Sequence, residues 1–200
     1  MQIKKIPTLP LLLILVLYVA GIATVSFFHE FWRDELQAWM IVKSSDSIAG
    51  LLHNTRYEGH PSLWFFMLYG LKYFPCSFTA MKVLHLFVAT VTGWIILRFS
   101  PFSTLQKILI LAGYFFFYEY SVIARNYAPG ILFLFTACAL FPQRNSPGYF
   151  TLIALAVAGM MLSNFYALFI GSALMLLLFA GHFSDPAMRR KWKTLIPGYL

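Results

Sequence analysis

The chain has 200 residues, of which 60% are hydrophobic and only 11% are charged. This composition excludes an ordinary water-soluble domain, in which about a quarter of the residues are charged. The formal net charge is +8, and most basic residues lie in short segments between long apolar runs. We therefore expect a membrane protein whose basic loops face the cytoplasm, and no nucleic-acid partner.

The first apolar run covers residues 11–28 and follows Lys4 and Lys5. A signal peptide begins in the same way, but its apolar core is usually shorter, and no clear small-residue cleavage site follows here. The run therefore predicts an uncleaved transmembrane helix with the N-terminus in the cytoplasm. The segment that follows would then lie on the outer side of the membrane.

That segment, residues 29–61, is the long polar part of the sequence. It holds five of the seven acidic residues and three of the five histidines. Two short surface helices are predicted in it, one over residues 34–43 and one that starts at Ser45 or Asp46. Asp34 would lie opposite the apolar face of the first helix. The predicted apolar faces are Leu36, Trp39 and Met40 on the first helix and Ile48, Leu51 and Leu52 on the second.

Pro61 is predicted to begin a helix over residues 62–74, with His60 as its cap. This run is shorter than the roughly twenty residues that a spanning helix needs, so we expect it to stay on the outer side. If it crossed, the basic cluster at residues 189–193 would fall outside, against the positive-inside bias. The remaining predicted spans are residues 78–97, 105–122, 128–141, 149–162 and 167–183.

The fold class expected from these runs is an all-α polytopic membrane protein with about six transmembrane helices, formed as one membrane domain over residues 1–200. Three cytoplasmic connections would hold its basic side chains. These are Arg98 and Lys107, then Arg144, then Arg189, Arg190, Lys191 and Lys193.

The segment EYSVIARNY, residues 119–127, is predicted to lie on the same side as Asp34 and Glu58. A charge deep in a bilayer costs about 3 kcal/mol, so these charges should face an interface or a polar cavity. Glu119 and Arg125 are six residues apart and cannot form a local helical ion pair.

The segments FWRDELQAWMIVKSS and RYEGHPSLWFFMLYGL resemble motifs of bacterial membrane glycosyltransferases of the GT-C class. The similarity is to the dolichyl-phosphate-mannose protein mannosyltransferase-like families. The later ARNYAPGILF resembles their arginine–tyrosine motif at the outer end of the third span. The resemblance implies transfer of a sugar, with inversion, from a polyprenyl-phosphate donor to a glycan, lipid or protein at the outer face of the bacterial inner membrane.

The resemblance also implies roles for individual residues. Asp34, with Glu35 in the same motif, would be catalytic, Asp34 acting as general base or orienting the acceptor. Arg125 would lie near the donor phosphate, and Glu58 would help to bind a metal or the acceptor. Secondary candidates for substrate binding are Arg56, His60 and Tyr127.

These roles suit the chemistry. A general base contributes about 10²- to 10⁴-fold to a rate, and a guanidinium offers a fork of donors that fits phosphate. The alternative for each residue is structural: Asp34 and Glu35 could cap a surface helix, and Arg125 and Tyr127 could be interfacial anchors.

Two other functions stay open: a truncated, non-catalytic protein that binds a polyprenyl lipid, and a lipid or solute transporter. Relatives in the GT-C class are longer, so we expect the chain to be an N-terminal module. A divalent metal cofactor also stays open. The spacing of His29, His53 and His60 matches no zinc signature, so no metal ligand is assigned.

Overall fold

The computed structural model describes residues 6–74 and 77–184, and this part of the chain is helical, with no β-strand. It therefore confirms the all-α prediction. The nine α-helices of the described ranges are α1 (Thr8–Phe28), α2 (Arg33–Lys43), α3 (Ile48–Asn54), α4 (Leu63–Tyr69), α5 (Ser77–Phe99), α6 (Thr104–Ala112), α7 (Tyr127–Leu140), α8 (Pro147–Met161) and α9 (Phe165–Ser184). A π-helix, Phe115–Glu119, follows α6, and a 3₁₀-helix, Phe141–Gln143, follows α7.

Within the described ranges, two helical segments, Thr8–Phe28 and Phe78–Phe99, are long and apolar enough to cross a membrane. Three further apolar segments are shorter: Tyr127–Gln143, Pro147–Met161 and Phe165–Gly181. The predicted count of about six spans therefore stays a prediction. Lys4, Lys5 and the basic cluster at residues 189–193, on which the orientation depends, lie outside the described residues.

The long helices form a row in which α5 contacts α1 and α7, and α8 contacts α7 and α9. We call the end of this row where α1 stops and α5 begins the loop end. The short helices α2, α3 and α4 follow α1 there, between Phe28 and Ser77. The backbone N–H of Leu63, at the start of α4, donates to the carbonyl of Leu162, just after α8, at 3.2 Å. The chain between α8 and α9 therefore also lies at the loop end.

Two lysines cap helix ends inside this arrangement. Lys82 Nζ donates to the carbonyl oxygens of Ser26 and His29, both at 2.8 Å, where α1 ends. Lys107, which was predicted to lie in a cytoplasmic connection, is fully buried, and its Nζ donates to the Leu97 carbonyl at 2.8 Å. The last carbonyls of a helix have no partner within the helix, so a cation there supplies both a hydrogen bond and a favourable charge.

Within the predicted span at residues 105–122, the helix breaks at Gly113 and resumes as a π-helix, and the prediction that this segment crosses the membrane stays a prediction. The Tyr120 N–H donates to the Phe115 carbonyl at 2.7 Å. The hydroxyls of Tyr18 and Ser121 both donate to the Phe116 carbonyl, at 2.7 and 2.5 Å. This break ends the helix early, so residues 120–126 run as irregular backbone, and four consecutive side chains, from Ser121 to Ala124, are buried.

The protein-facing side of α2 differs from its predicted apolar face. The buried residues are Glu35, Ala38, Trp39 and Val42, whereas Leu36 and Met40 are 38% and 62% exposed. The reason is tertiary: α2 packs on α4, where Trp39 joins a cluster with Trp64 and Leu68. The buried face also carries a carboxylate that finds hydrogen-bond donors there.

The other two short helices begin later than predicted. The cap of α3 is Ser47 rather than Ser45 or Asp46, and its Oγ accepts from the Gly50 N–H at 3.0 Å. Helix α4 begins at Leu63 after Ser62, not at Pro61, and it ends at Tyr69. Its seven residues are too few to cross a bilayer, because a helix rises only about 1.5 Å per residue.

Candidate functional site

Two cavities open at the loop end, and Arg125 lines both of them. The first, which we call the polar cavity, has a volume of about 180 Å³. It is lined by Asp34, Gln37, Ala38, Glu58, His60, Trp64, Phe65, Ala124, Arg125 and Asn126. The second, which we call the amphipathic cavity, has a volume of about 420 Å³ and lies among the π-helix, α7, α8 and α9.

Asp34 and Arg125 meet in the polar cavity. Arg125 Nη2 lies 3.1 Å from Asp34 Oδ2. The Asp34 side chain is 55% exposed and that of Arg125 is 23% exposed, so a ligand can reach the pair from solvent. Helix α2 presents the carboxylate in its first turn, and the irregular segment after the π-helix presents the guanidinium. The structure thus brings together two residues that the sequence placed on the same side.

Glu35 lies beneath this pair and does not line either cavity. Its side chain is fully buried, and its Oε1 accepts from the Ala124 N–H at 2.6 Å. Its Oε2 accepts from the Trp32 N–H at 2.8 Å and lies 2.9 Å from His29 Nε2. Glu35, which follows Asp34 in the chain, therefore bonds to Ala124, which precedes Arg125. Each of its oxygens accepts a backbone hydrogen bond that holds the chain near Arg125 and Asp34, and the catalytic role predicted for Glu35 stays a prediction.

Glu58 faces the polar cavity together with Gln37. Gln37 Nε2 donates to the two carboxylate oxygens of Glu58 at 3.2 and 3.1 Å. Gly59, which follows Glu58, has a φ of +67°, a conformation that residues with a side chain rarely adopt. This turn allows Glu58 and His60 to line the same cavity.

His60 stays neutral near pH 7. Burial lowers the pKa of its imidazole below the ordinary value of 6.5, and the positive charge of Arg125 lowers it further, against the opposing effect of Glu58 and Asp34. Its Nδ1 is buried without a hydrogen-bond partner among the described residues.

The remaining predicted residues divide. Tyr127 lines the amphipathic cavity, and the Arg125 guanidinium lies 5.1 Å from the centre of its ring. Arg56 lines neither cavity. It is exposed and donates to the His53 carbonyl at 2.7 Å, so its predicted role in substrate binding finds no geometric support.

Sequence reasoning missed Gln37, Trp64 and Asn164. Gln37 follows Asp34 by three residues and so shares its helix face, which is a signal that the sequence contained. Trp64 and Asn164 gave no such signal, because their place depends on how α4 and α9 pack against distant segments.

The amphipathic cavity is lined by polar and apolar residues. The polar ones are Glu119, Tyr120, Arg125, Tyr127, Asn164 and Tyr166, and the apolar ones are Phe115, Gly130, Ile131, Leu134, Met160, Ala167 and Ile170. Gly130 permits the close contact that forms one wall, because a Cβ at this position would lie 2.8 Å from Asn164 Nδ2. The Oδ1 of Asn164 in turn accepts from the Ala167 N–H at 2.9 Å at the start of α9.

No cluster of three or more histidine, cysteine, aspartate or glutamate side chains that could hold a metal ion occurs in residues 6–74 and 77–184. The described part of the chain therefore gives no geometric support for a divalent metal.

Comparison with known proteins adds no relative. No family model matches the sequence, and no curated protein or solved structure matches it significantly. The geometry of the two cavities and the resemblance of the motifs therefore bear on the function.

Proposed function

We propose that the chain carries the site of a GT-C-like membrane glycosyltransferase. In this proposal a sugar passes from a polyprenyl-phosphate donor to an acceptor, with inversion, at the outer face of a bacterial inner membrane. The observation that carries the proposal is the position of Arg125. Arg125 lines both a cavity with two carboxylates and a larger cavity with many apolar lining residues, and its guanidinium already pairs with the carboxylate of Asp34.

The amphipathic cavity is assigned to the donor lipid. An isoprenoid chain would lie against the apolar lining residues of α7, α8 and α9, and the phosphate would reach Arg125. A guanidinium binds phosphate through paired donors, and it stabilises the negative charge that builds up as polyprenyl phosphate leaves. The apolar helices would cross the membrane several times, with the N-terminus in the cytoplasm.

The polar cavity is assigned to the acceptor, because Asp34 lines this cavity and not the other. The acceptor hydroxyl would give its proton to the Asp34 carboxylate while its oxygen forms a bond to the anomeric carbon. The bond between the anomeric carbon and the phosphate oxygen breaks on the opposite face, and its electron pair leaves with the phosphate. Attack and departure on opposite faces invert the configuration.

Arg125 must exchange partners in this sequence. In the structure it binds Asp34, and in the proposed complex it would bind the donor phosphate. Donor binding would thus release the Asp34 carboxylate at the moment when the acceptor needs a base.

The test is sugar transfer in liposomes that hold the protein and a radiolabelled polyprenyl-phosphate sugar. We expect Asp34→Asn to lose about 10²- to 10⁴-fold in rate, the range that general-base catalysis contributes. Arg125→Lys keeps the charge but loses the paired donors, and it should also transfer more slowly. Glu30→Gln is the matched control, because Glu30 is exposed at the loop end and lines neither cavity. Full activity of Asp34→Asn would remove the proposed base.

A second candidate function is binding of a polyprenyl lipid without transfer. The amphipathic cavity favours this second function, because lipid binding there requires only Arg125 and the apolar lining residues. Tight binding of polyprenyl phosphate, with no transfer from any tested polyprenyl-phosphate sugar, would select this function.

A further inference from the structure

We infer that the polar cavity selects an acceptor that carries a protonated amine close to its attacking hydroxyl, as an amino sugar does. The assignment of the cavity to the acceptor rests on the proposed function. The preference for a positive charge rests on the cavity itself and can be measured without any transfer reaction.

The charges of the side chains that line the polar cavity do not balance. The ionised side chains that line the polar cavity are Asp34, Glu58 and Arg125, which sum to one negative charge. His60 adds none at neutral pH, because burial and Arg125 lower the pKa of its imidazole. A donor phosphate on Arg125 would add another negative charge. A cationic group on the acceptor would offset this excess.

The Glu58 carboxylate has no counterion among the described residues. Among the described residues, no lysine, arginine or histidine forms an ion pair with this carboxylate, and the side chain that holds it is the neutral amide of Gln37. The amide fixes the orientation of the carboxylate but does not balance its charge. Glu58 is therefore oriented towards the cavity as an acceptor for a charged donor, and such hydrogen bonds are the stronger ones.

Two aromatic side chains complete the wall of the polar cavity. Trp64, which is only 2% exposed, and Phe65 both line it, and they add an apolar surface for the ring of a sugar.

The size of the cavity limits the ligand. Its volume of about 180 Å³ is below the roughly 300 to 1,000 Å³ of sites that enclose drug-sized ligands. The cavity therefore suits one monosaccharide unit with donors for two carboxylates. An amino sugar supplies these donors through its ammonium group and its hydroxyls.

The experiment uses the full chain in lipid nanodiscs and three probes of equal chain length. They are octyl glucoside, its 2-amino-2-deoxy analogue and the N-acetylated form of that analogue, each below its micellar concentration. We expect the amine to bind about tenfold more tightly than the other two, from one charged hydrogen bond. Glu58→Gln should remove this preference, whereas Glu30→Gln should keep it, because Glu30 lines neither cavity.

A second variant protects the test against misfolding of Glu58→Gln. Gln37 is exposed on α2, so Gln37→Lys should fold, and it would give Glu58 a fixed cation. The amine preference should then be lost although Glu58 is intact. Equal binding of the three probes by the wild type, or an undiminished preference in Gln37→Lys, would overturn the inference.

The same three glycosides, offered as acceptors with a polyprenyl-phosphate sugar, separate this inference from the proposed function. An amine preference in binding with no transfer to any glycoside would count against the glycosyltransferase and leave the inference standing. Transfer to all three with no preference in binding would do the reverse.

Discussion

Asp34→Asn should have two opposite effects: it should slow sugar transfer by about 10²- to 10⁴-fold, and it should also strengthen the binding of polyprenyl phosphate. The second effect follows from the ion pair. In the structure the Arg125 guanidinium lies 3.1 Å from the Asp34 carboxylate. A phosphate that binds Arg125 must displace this partner, and the substitution removes the competitor.

The size of the effect follows from distance and exposure. Two unit charges 3.1 Å apart attract by about 1.3 kcal/mol in bulk water and by about 5 kcal/mol at an effective dielectric constant of 20. Asp34 is 55% exposed, so solvent screening applies, and exposed pairs contribute only about 0.2 to 1 kcal/mol. We therefore expect Asp34→Asn to bind polyprenyl phosphate about 1.4- to 5-fold more tightly.

The assay is equilibrium binding of a fluorescent, short-chain polyprenyl phosphate to the protein in nanodiscs at low salt. The gain should shrink as salt is added. The gain should also disappear in the double variant with Arg125→Gln, because the carboxylate and the phosphate then have no guanidinium to compete for. Glu30→Gln serves as the control for a change of net charge. Weaker binding by Asp34→Asn would refute the idea that the carboxylate and the phosphate compete for Arg125.

Three further predictions concern the framework of the site. Glu35→Gln should lower the free energy of unfolding by about 1 to 3 kcal/mol, because an amide cannot accept from the Ala124 and Trp32 N–H groups and also pair with His29 as the carboxylate does. Thermal unfolding in detergent would measure this loss of stability. An unchanged melting temperature would contradict a structural role of these bonds. Gly130→Ala should cost about 1 to 3 kcal/mol by overpacking against Asn164, whereas Gly148→Ala, where a Cβ meets open space, should not destabilise the protein. Because the pKa of His60 is lowered in the folded state, the unfolded chain binds the proton more tightly, and the free energy of unfolding should fall as the pH drops below about 6.5. His60→Gln should flatten this pH dependence. An identical pH profile in both proteins would contradict the prediction.

Much of the fold could be predicted from apolar runs. The helices that became α1, α5, α7, α8 and α9 were each expected within a few residues of their observed ends, because long runs of apolar side chains leave the backbone little choice but to satisfy its own hydrogen bonds. The boundaries of the short helices were harder to predict. The start of α3 depends on a single cap, Ser47, and the neighbouring Ser45 and Asp46 are residues of the same capping kind.

The candidate site was predicted in part. The sequence indicated Asp34, Glu58 and Arg125 through the paired acidic motifs and the later arginine, and all three line one cavity. It assigned both Asp34 and Glu35 to catalysis, with Asp34 as the base, but it did not indicate how differently the two side chains are exposed, since burial depends on tertiary packing. In the structure one carboxylate is 55% exposed and the other is fully buried.

The sequence by itself determined that this chain is helical and that its acidic groups gather in one polar segment, because composition and periodicity act over a few neighbouring residues. Only the tertiary structure decided which of these groups reach a ligand. The break before Phe115 sets where Arg125 emerges, and the bond from the Ala124 N–H to Glu35 holds it beside Asp34. These contacts join residues far apart in the chain, and no local pattern specifies them.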